Sequence, residues 1–139
     1  MTEEGIPVSA ITTGANVHDS QCAIPLERMT EQRINFLSTL MDSAYDAKSI
    51  FQFVRYRGWI PIIDHNRRKD LREAFDVVTK EHYKKRSVVE RANSHLKYWL
   101  LPEKLLVRGS KKVSFELMCG VICLAAIKIL EQFILPSLI

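Results

Sequence analysis

The sequence predicts an α/β fold, with strands and helices alternating along the chain and packing as layers. Three observations point there. Short runs of strand length at residues 6–13, 34–41 and 59–64 are rich in apolar or β-branched side chains. Segments with helical spacing follow each of them. The apolar fraction of 47% is enough for a packed core, and 139 residues suit a single domain.

The elements follow in order. "IPVSAITT", residues 6–13, reads as a strand, and "GANVHDS" turns after it. Asp19 or Ser20 is placed to cap a short helix over 20–29. "INFLSTLM", 34–41, reads as a strand buried on both faces and ends at Asp42. After the loop "DSAYD", Asp46 suits the N-cap of a helix reaching Arg57. Ile50, Phe53, Val54 and Arg57 fall at helical spacing there, and Gly58 stops it. "WIPIID" is a further strand, with Pro61 weakening it. Residues 65–82 are polar and basic, with a helical patch near 70–78. A helix over 83–100 runs up to Pro102, and 111–134 forms a final packing helix.

Charge is uneven. The net charge is +4, yet residues 54–97 alone carry twelve Lys/Arg against six Asp/Glu. A basic middle is the pattern of a phosphate-binding face, or of a solvated helical surface. Cys22, Cys119 and Cys123 show neither disulfide nor zinc spacing. Cys119 and Cys123, four apart in an apolar run, read as buried packing, which suits a reducing, cytoplasmic setting. Glu3 and Glu4 after Met1 argue against a signal peptide. Lys128, Glu131 and Gln132 interrupt the apolar run 117–135, so a buried amphipathic helix is expected there and no membrane partner.

The chemistry concentrates on the helix over 83–100. With Arg86 at the origin, Glu90 falls at about 40°, Lys97 at about 20° and Tyr83 at about 60°. Val89, Ala92, Leu96, Trp99 and Leu100 form an apolar stripe on the other side. One face is therefore free to bury while Tyr, Arg, Glu and Lys share the other. By position alone this is equally an exposed ion-pair face, with Arg86 and Glu90 an i,i+4 pair.

The spacing of Tyr83, Arg86, Glu90 and Lys97 resembles the Tyr-(2)-Arg-(3)-Glu-(6)-Lys signature of the DDE transposases of bacterial insertion sequences. "LMDSAYD" around Asp42 resembles the segment holding that group's second catalytic Asp. "GIPVSAITTGANVHDS" resembles the strand and turn after the first carboxylate's hairpin. The resemblance spans roughly residues 5–130. It implies a ribonuclease-H-like mixed sheet flanked by helices. It implies that Asp42 and Glu90 are the second and third catalytic carboxylates and ligands of Mg²⁺ or Mn²⁺, a choice that suits hard oxygen donors. It implies DNA as partner, at transposon ends and target, and strand cleavage followed by strand transfer.

Arg86 and Lys97 would then hold backbone phosphates. Tyr83 would bond a phosphate or stack on an unpaired base, if it is not simply a partly buried aromatic. Lys84, Lys85 and Arg91, with Arg67, Arg68 and Lys69, are candidate sequence-independent DNA contacts. Asp64 and His65, after a strand, and the His18–Asp19 pair are weaker candidates for a metal. Trp59 and Trp99 read as core.

The family's first catalytic Asp has no counterpart in residues 1–41, so the sheet is expected to lack its first strands and the domain to be partial. Little transposition is expected of this polypeptide alone. It would act with an upstream transposase fragment, or as a homodimer. The competing reading is a truncated module that binds DNA or a full-length transposase and regulates it; a different nuclease of the same fold is a third.

Overall fold

A computed structural model describes residues 1–65 and 75–135. The predicted helical patch near 70–78 falls largely outside the described residues, as do Arg67, Arg68 and Lys69. The chain divides into two compact units, residues 15–86 and residues 1–14 with 87–139.

The first unit is a β-α-β arrangement with helices around it. Helix α1 (Asp19–Glu31) leads to strand β1 (Ser38–Met41), a 3-10 turn (Ser43–Tyr45), helix α2 (Lys48–Tyr56), strand β2 (Ile60–Ile63) and helix α3 (Val77–Lys84). The strands are parallel, with Ser38 opposite Ile60 and Met41 opposite Ile63. Parallel pairing requires a crossover, and α2 supplies it. Ile50 and Val54 lie one turn apart on α2, so they share a face. Both are fully buried against Ala23 of α1 and Ile63 of β2. Trp59 packs at the edge of this core, its ring 4.2 Å from Phe36 and 6.3 Å from Phe53. Gly58 ends α2 in the left-handed region, φ +78°, where only glycine is unstrained.

The predicted elements in this unit shift in detail. The strand expected over 34–41 is confined to its last four residues, all half-buried rather than enclosed on both faces. Asp19 and Ser20 do not cap α1; His18 does, its Nδ1 accepting the Ser20 amide at 3.3 Å. Asp46 does not cap α2 either: Ala47 holds that position with no side-chain bond. The Asp46 carboxylate stands instead 4.0 Å from His65 Nδ1. Pro61 sits inside β2 without breaking the pairing, because the amides that reach β1 belong to neighbours such as Ile60, which donates to the Leu37 carbonyl at 2.8 Å.

The second unit contains helix α4 (Ser87–His95), a π turn (Leu96–Leu100), helix α5 (Ser110–Ile129) and a second π turn (Leu130–Ile134). Its buried positions are Gly5, Ala92, Gly120 and Leu124. Gly120 lets α5 approach closely: a Cβ there would lie 2.8 Å from Leu101 and 3.1 Å from Leu96. The predicted strand over 6–13 is not formed. Strand preference is realised only against a partner strand, and none among the described residues pairs with it. The segment meets α5 instead, where the Thr12 and Ser114 hydroxyls are 2.7 Å apart.

Three further expectations are corrected here. The single helix over 83–100 is two helices broken at Lys85–Arg86, then a π turn. Ser87 opens the second helix, as suits a residue type that favours helix starts over helix interiors. Trp99 is 81% exposed, because the wider π turn rotates it off the stripe that contains buried Ala92. Cys119 and Cys123 are exposed. They do share a face of α5, but the buried face is set by Gly120 and Leu124.

Glu27 is the one buried charged residue among those described, on α1 against β1, where the Thr39 hydroxyl donates to its carboxylate. Burial pushes its pKa up, and the Thr39 bond offsets part of that. A carboxyl that holds its proton more tightly folded than unfolded loses stabilisation as pH rises from the unfolded pKa through the folded one. Glu27→Gln keeps an acceptor for Thr39 and removes the charge. Urea midpoints across pH 4–7 should therefore fall less steeply in the variant than in the parent. Ile50→Ala should destabilise the first unit by about 2–5 kcal/mol, read from the same titrations.

Candidate functional site

The carboxyl edge of the strand pair carries two acidic residues of the first unit, Asp42 and Asp64. β1 ends at Met41 and Asp42 follows; β2 ends at Ile63 and Asp64 follows. Because the strands run parallel with Met41 opposite Ile63, Asp64 occupies the position beside Asp42, its amide donating to the Met41 carbonyl at 3.3 Å. The carboxyl edge of a parallel pair is where such folds place ligand chemistry. Only the pairing register raises Asp64 above its modest standing in the sequence.

Asp42 is held by two contacts. Its Oδ1 accepts the Ala44 amide at 2.9 Å, capping the 3-10 turn from an extended backbone (φ −82°, ψ 178°). Its Oδ2 lies 3.4 Å from Arg86 Nη1, both side chains partly exposed. The Arg86 guanidinium also stacks over the Tyr83 ring, 5.7 Å from its centre, and Tyr83 meets Phe75 at 5.3 Å. Asp42, Arg86 and Tyr83 thus form one connected group. Tyr45 borders it. Burial first, and then the nearby Asp19 and Asp42 carboxylates, push the Tyr45 phenol pKa up, so it remains a neutral hydroxyl. An open depression beside them is lined by His18, Asp19 and Ala44.

The other predicted residues are distributed. Lys84 is exposed and bonded to Glu81 at 2.5 Å, which lowers the Glu81 pKa. Lys85 is exposed in the turn after α3. In the second unit, Glu90 and Arg91 are exposed on α4, and Lys97 is exposed on the π turn with its ammonium 5.5 Å from the Tyr98 ring. The single helix expected to carry Tyr83, Arg86, Glu90 and Lys97 is interrupted at Lys85–Arg86, so Tyr83 lies on α3 while Glu90 lies on α4 and Lys97 on the π turn.

Carboxylate oxygens are the right donors for a hard divalent cation. Their number is short: among the described residues no three His, Cys, Asp or Glu side chains gather closely enough to hold a metal ion. Asp42 is engaged by Arg86 and a backbone amide, and His18 by its cap. The described residues do not by themselves make a complete metal centre.

The first unit is thus a β-α-β layer of the α/β class, with Asp42 and Asp64 at the carboxyl edge of its strands and Arg86 paired to Asp42. The family comparison is specific: the model of the transposase DDE domain matches residues 1–126, and the chain belongs to that family. No curated protein and no solved structure matches it.

The contacts of Asp42 set a stability prediction. Asp42→Ala should cost about 1 kcal/mol through the lost cap. Arg86→Ala should cost no more than about 1 kcal/mol, the range of a partly exposed ion pair. Equilibrium denaturation of both variants checks this.

Proposed function

We propose that the chain serves DNA transposition, as part of a ribonuclease-H-like catalytic domain that cleaves DNA strands and transfers them. The family match over residues 1–126 carries this reading. Asp42 and Glu90 are its catalytic carboxylates and its ligands for Mg²⁺ or Mn²⁺. The position of Asp42 at the end of a parallel strand supports its part. Arg86 and Lys97 hold backbone phosphates of the transposon end or target. Tyr83 lends a stacking face, and Lys84, Lys85 and Arg91 add contacts that do not depend on sequence.

With two of the family's three carboxylates, the chain alone binds Mn²⁺ weakly and cleaves little. The family's remaining carboxylate has no counterpart among residues 1–41. In an enzyme reconstituted with that carboxylate, Asp42→Asn and Glu90→Gln should each abolish cleavage of a transposon-end duplex while leaving gel-shift affinity within about threefold, a change under 1 kcal/mol. Cleavage at the parent rate by Glu90→Gln would remove Glu90 from the site. Lys97→Ala should reduce the dependence of log affinity on log salt by about one unit.

The lack of a three-carboxylate group among the described residues favours one second reading: a module that binds DNA or a full-length transposase and regulates it. Under that reading, adding the chain to an active transposase lowers its cleavage, and Asp42→Asn inhibits as well as the parent.

A further inference from the structure

The amino edge of the strand pair, at the other end of the first unit's sheet from Asp42, carries basic and aromatic side chains that the proposed chemistry does not use. Helices α1 and α2 both end at that edge, because each is followed by the start of a strand. Phe53, Tyr56 and Arg57 stand three and four residues apart on α2 and its cap, so they share one side of it. The Phe53 ring has two guanidiniums against it, Arg28 from α1 and Arg57, each 5.6 Å from its centre. The Trp59 ring meets it edge-on at 6.3 Å. Tyr56 beside them is 88% exposed. On the far side of α2, Arg55 lies over the Phe51 ring at 5.8 Å.

Charge at this edge is not balanced locally. Arg28, Arg33, Arg55 and Arg57 bring four positive charges. Glu31 offsets one through its 2.8 Å pair with Arg57. Glu27, the other acid near the end of α1, is buried and bonded to Thr39. The C-termini of α1 and α2 supply roughly one negative charge between them, so about two positive charges remain. Helix capping therefore accounts for part of the arginine content and not the whole. Neither Arg28 nor Arg55 has a carboxylate partner among the described residues; each rests only on an aromatic face.

We infer that this edge is a track for an unpaired DNA strand, distinct from the carboxylate site: Arg28 and Arg55 hold its phosphates and Tyr56 stacks on a base. A guanidinium lying over a ring is oriented in advance, and its N–H groups remain free for phosphate oxygens. An exposed tyrosine offers its face to any unpaired base, which a duplex does not present. The choice of DNA among polyanions rests on the transposition reading, in which strands are cut and moved; the charge and the ring contacts do not.

Fluorescence anisotropy of a labelled oligothymidylate of about 15 nucleotides with the full chain in EDTA tests this. No metal or cleavage enters, so failure of the transposition reading shows in the Glu90→Gln cleavage assay and failure of this inference shows here. The Arg28→Gln, Arg55→Gln double variant should reduce the slope of log affinity against log salt by about 1.4, the value for two phosphate contacts on a single strand. Tyr56→Ala should weaken binding at least about fivefold, and Tyr56→Trp should keep it. Lys48→Ala removes a charge from the opposite end of α2 and should change affinity by less than about twofold. All four altered side chains are exposed, so circular dichroism spectra should match the parent's. A parent chain that does not bind the oligomer overturns the inference. So does a loss in Lys48→Ala as large as that in the arginine variant, which would mean diffuse charge. A duplex of equal length bound as tightly, with no effect of Tyr56→Ala, removes the unpaired strand as occupant. Oligouridylate bound at least about tenfold more tightly than oligothymidylate overturns it in favour of RNA.

Discussion

The pairing of two short parallel strands is the constraint on which the candidate site depends. Four residues in each strand would not persist alone; a two-stranded sheet is marginal without a helix packed on it. Helix α2 provides that support, through Ile50 and Val54 on one face and the left-handed stop at Gly58 that returns the chain into β2. Those elements fix where β1 ends. Asp42 is then a functional candidate because the chain leaves the sheet there, with its carboxylate oriented by an amide and an arginine rather than by burial.

The chain keeps its polar chemistry in partly exposed places and spends few buried groups on it. Glu27 is the exception, a carboxyl enclosed between α1 and β1 with the Thr39 hydroxyl as its donor. The acids at the carboxyl edge are spread along the backbone and tied into local contacts: Asp42 with Arg86, Asp46 with His65. Such an edge has the donor chemistry for a hard cation while lacking a closed ligand set among the described residues. Membership of the DDE family supplies the functional frame, and the arrangement around Asp42 has a local physical account of its own.

Much of the first unit was legible in the sequence because its signals are local. The abrupt end of the apolar run at Asp42, the spacing of Ile50 and Val54, and the glycine at 58 each state a boundary by residue type. What sequence missed depended on partners. Residues 6–13 have strand composition but no ladder, since composition cannot say whether a neighbour is present. The interruption at Lys85–Arg86 has no signature in an angular projection, which assumes a continuous helix. The same assumption put Trp99 in the core, when a π turn changes the angle per residue. The side of α5 that holds Cys119 and Cys123 is not legible from sequence, because both sides of the helix are apolar and no amphipathic signal chooses between them.

Pro61 has an effect beyond its own strand. Alternate amides of β2 point toward β1, as those of Ile60 and Asp64 do, so the position of residue 61 faces the opposite margin. With no hydrogen to offer there, that margin is chemically blunted against an incoming chain. The two margins of the sheet are therefore unlike: that of β2 is one donor short at residue 61, a built-in asymmetry that disfavours a strand adding on that side.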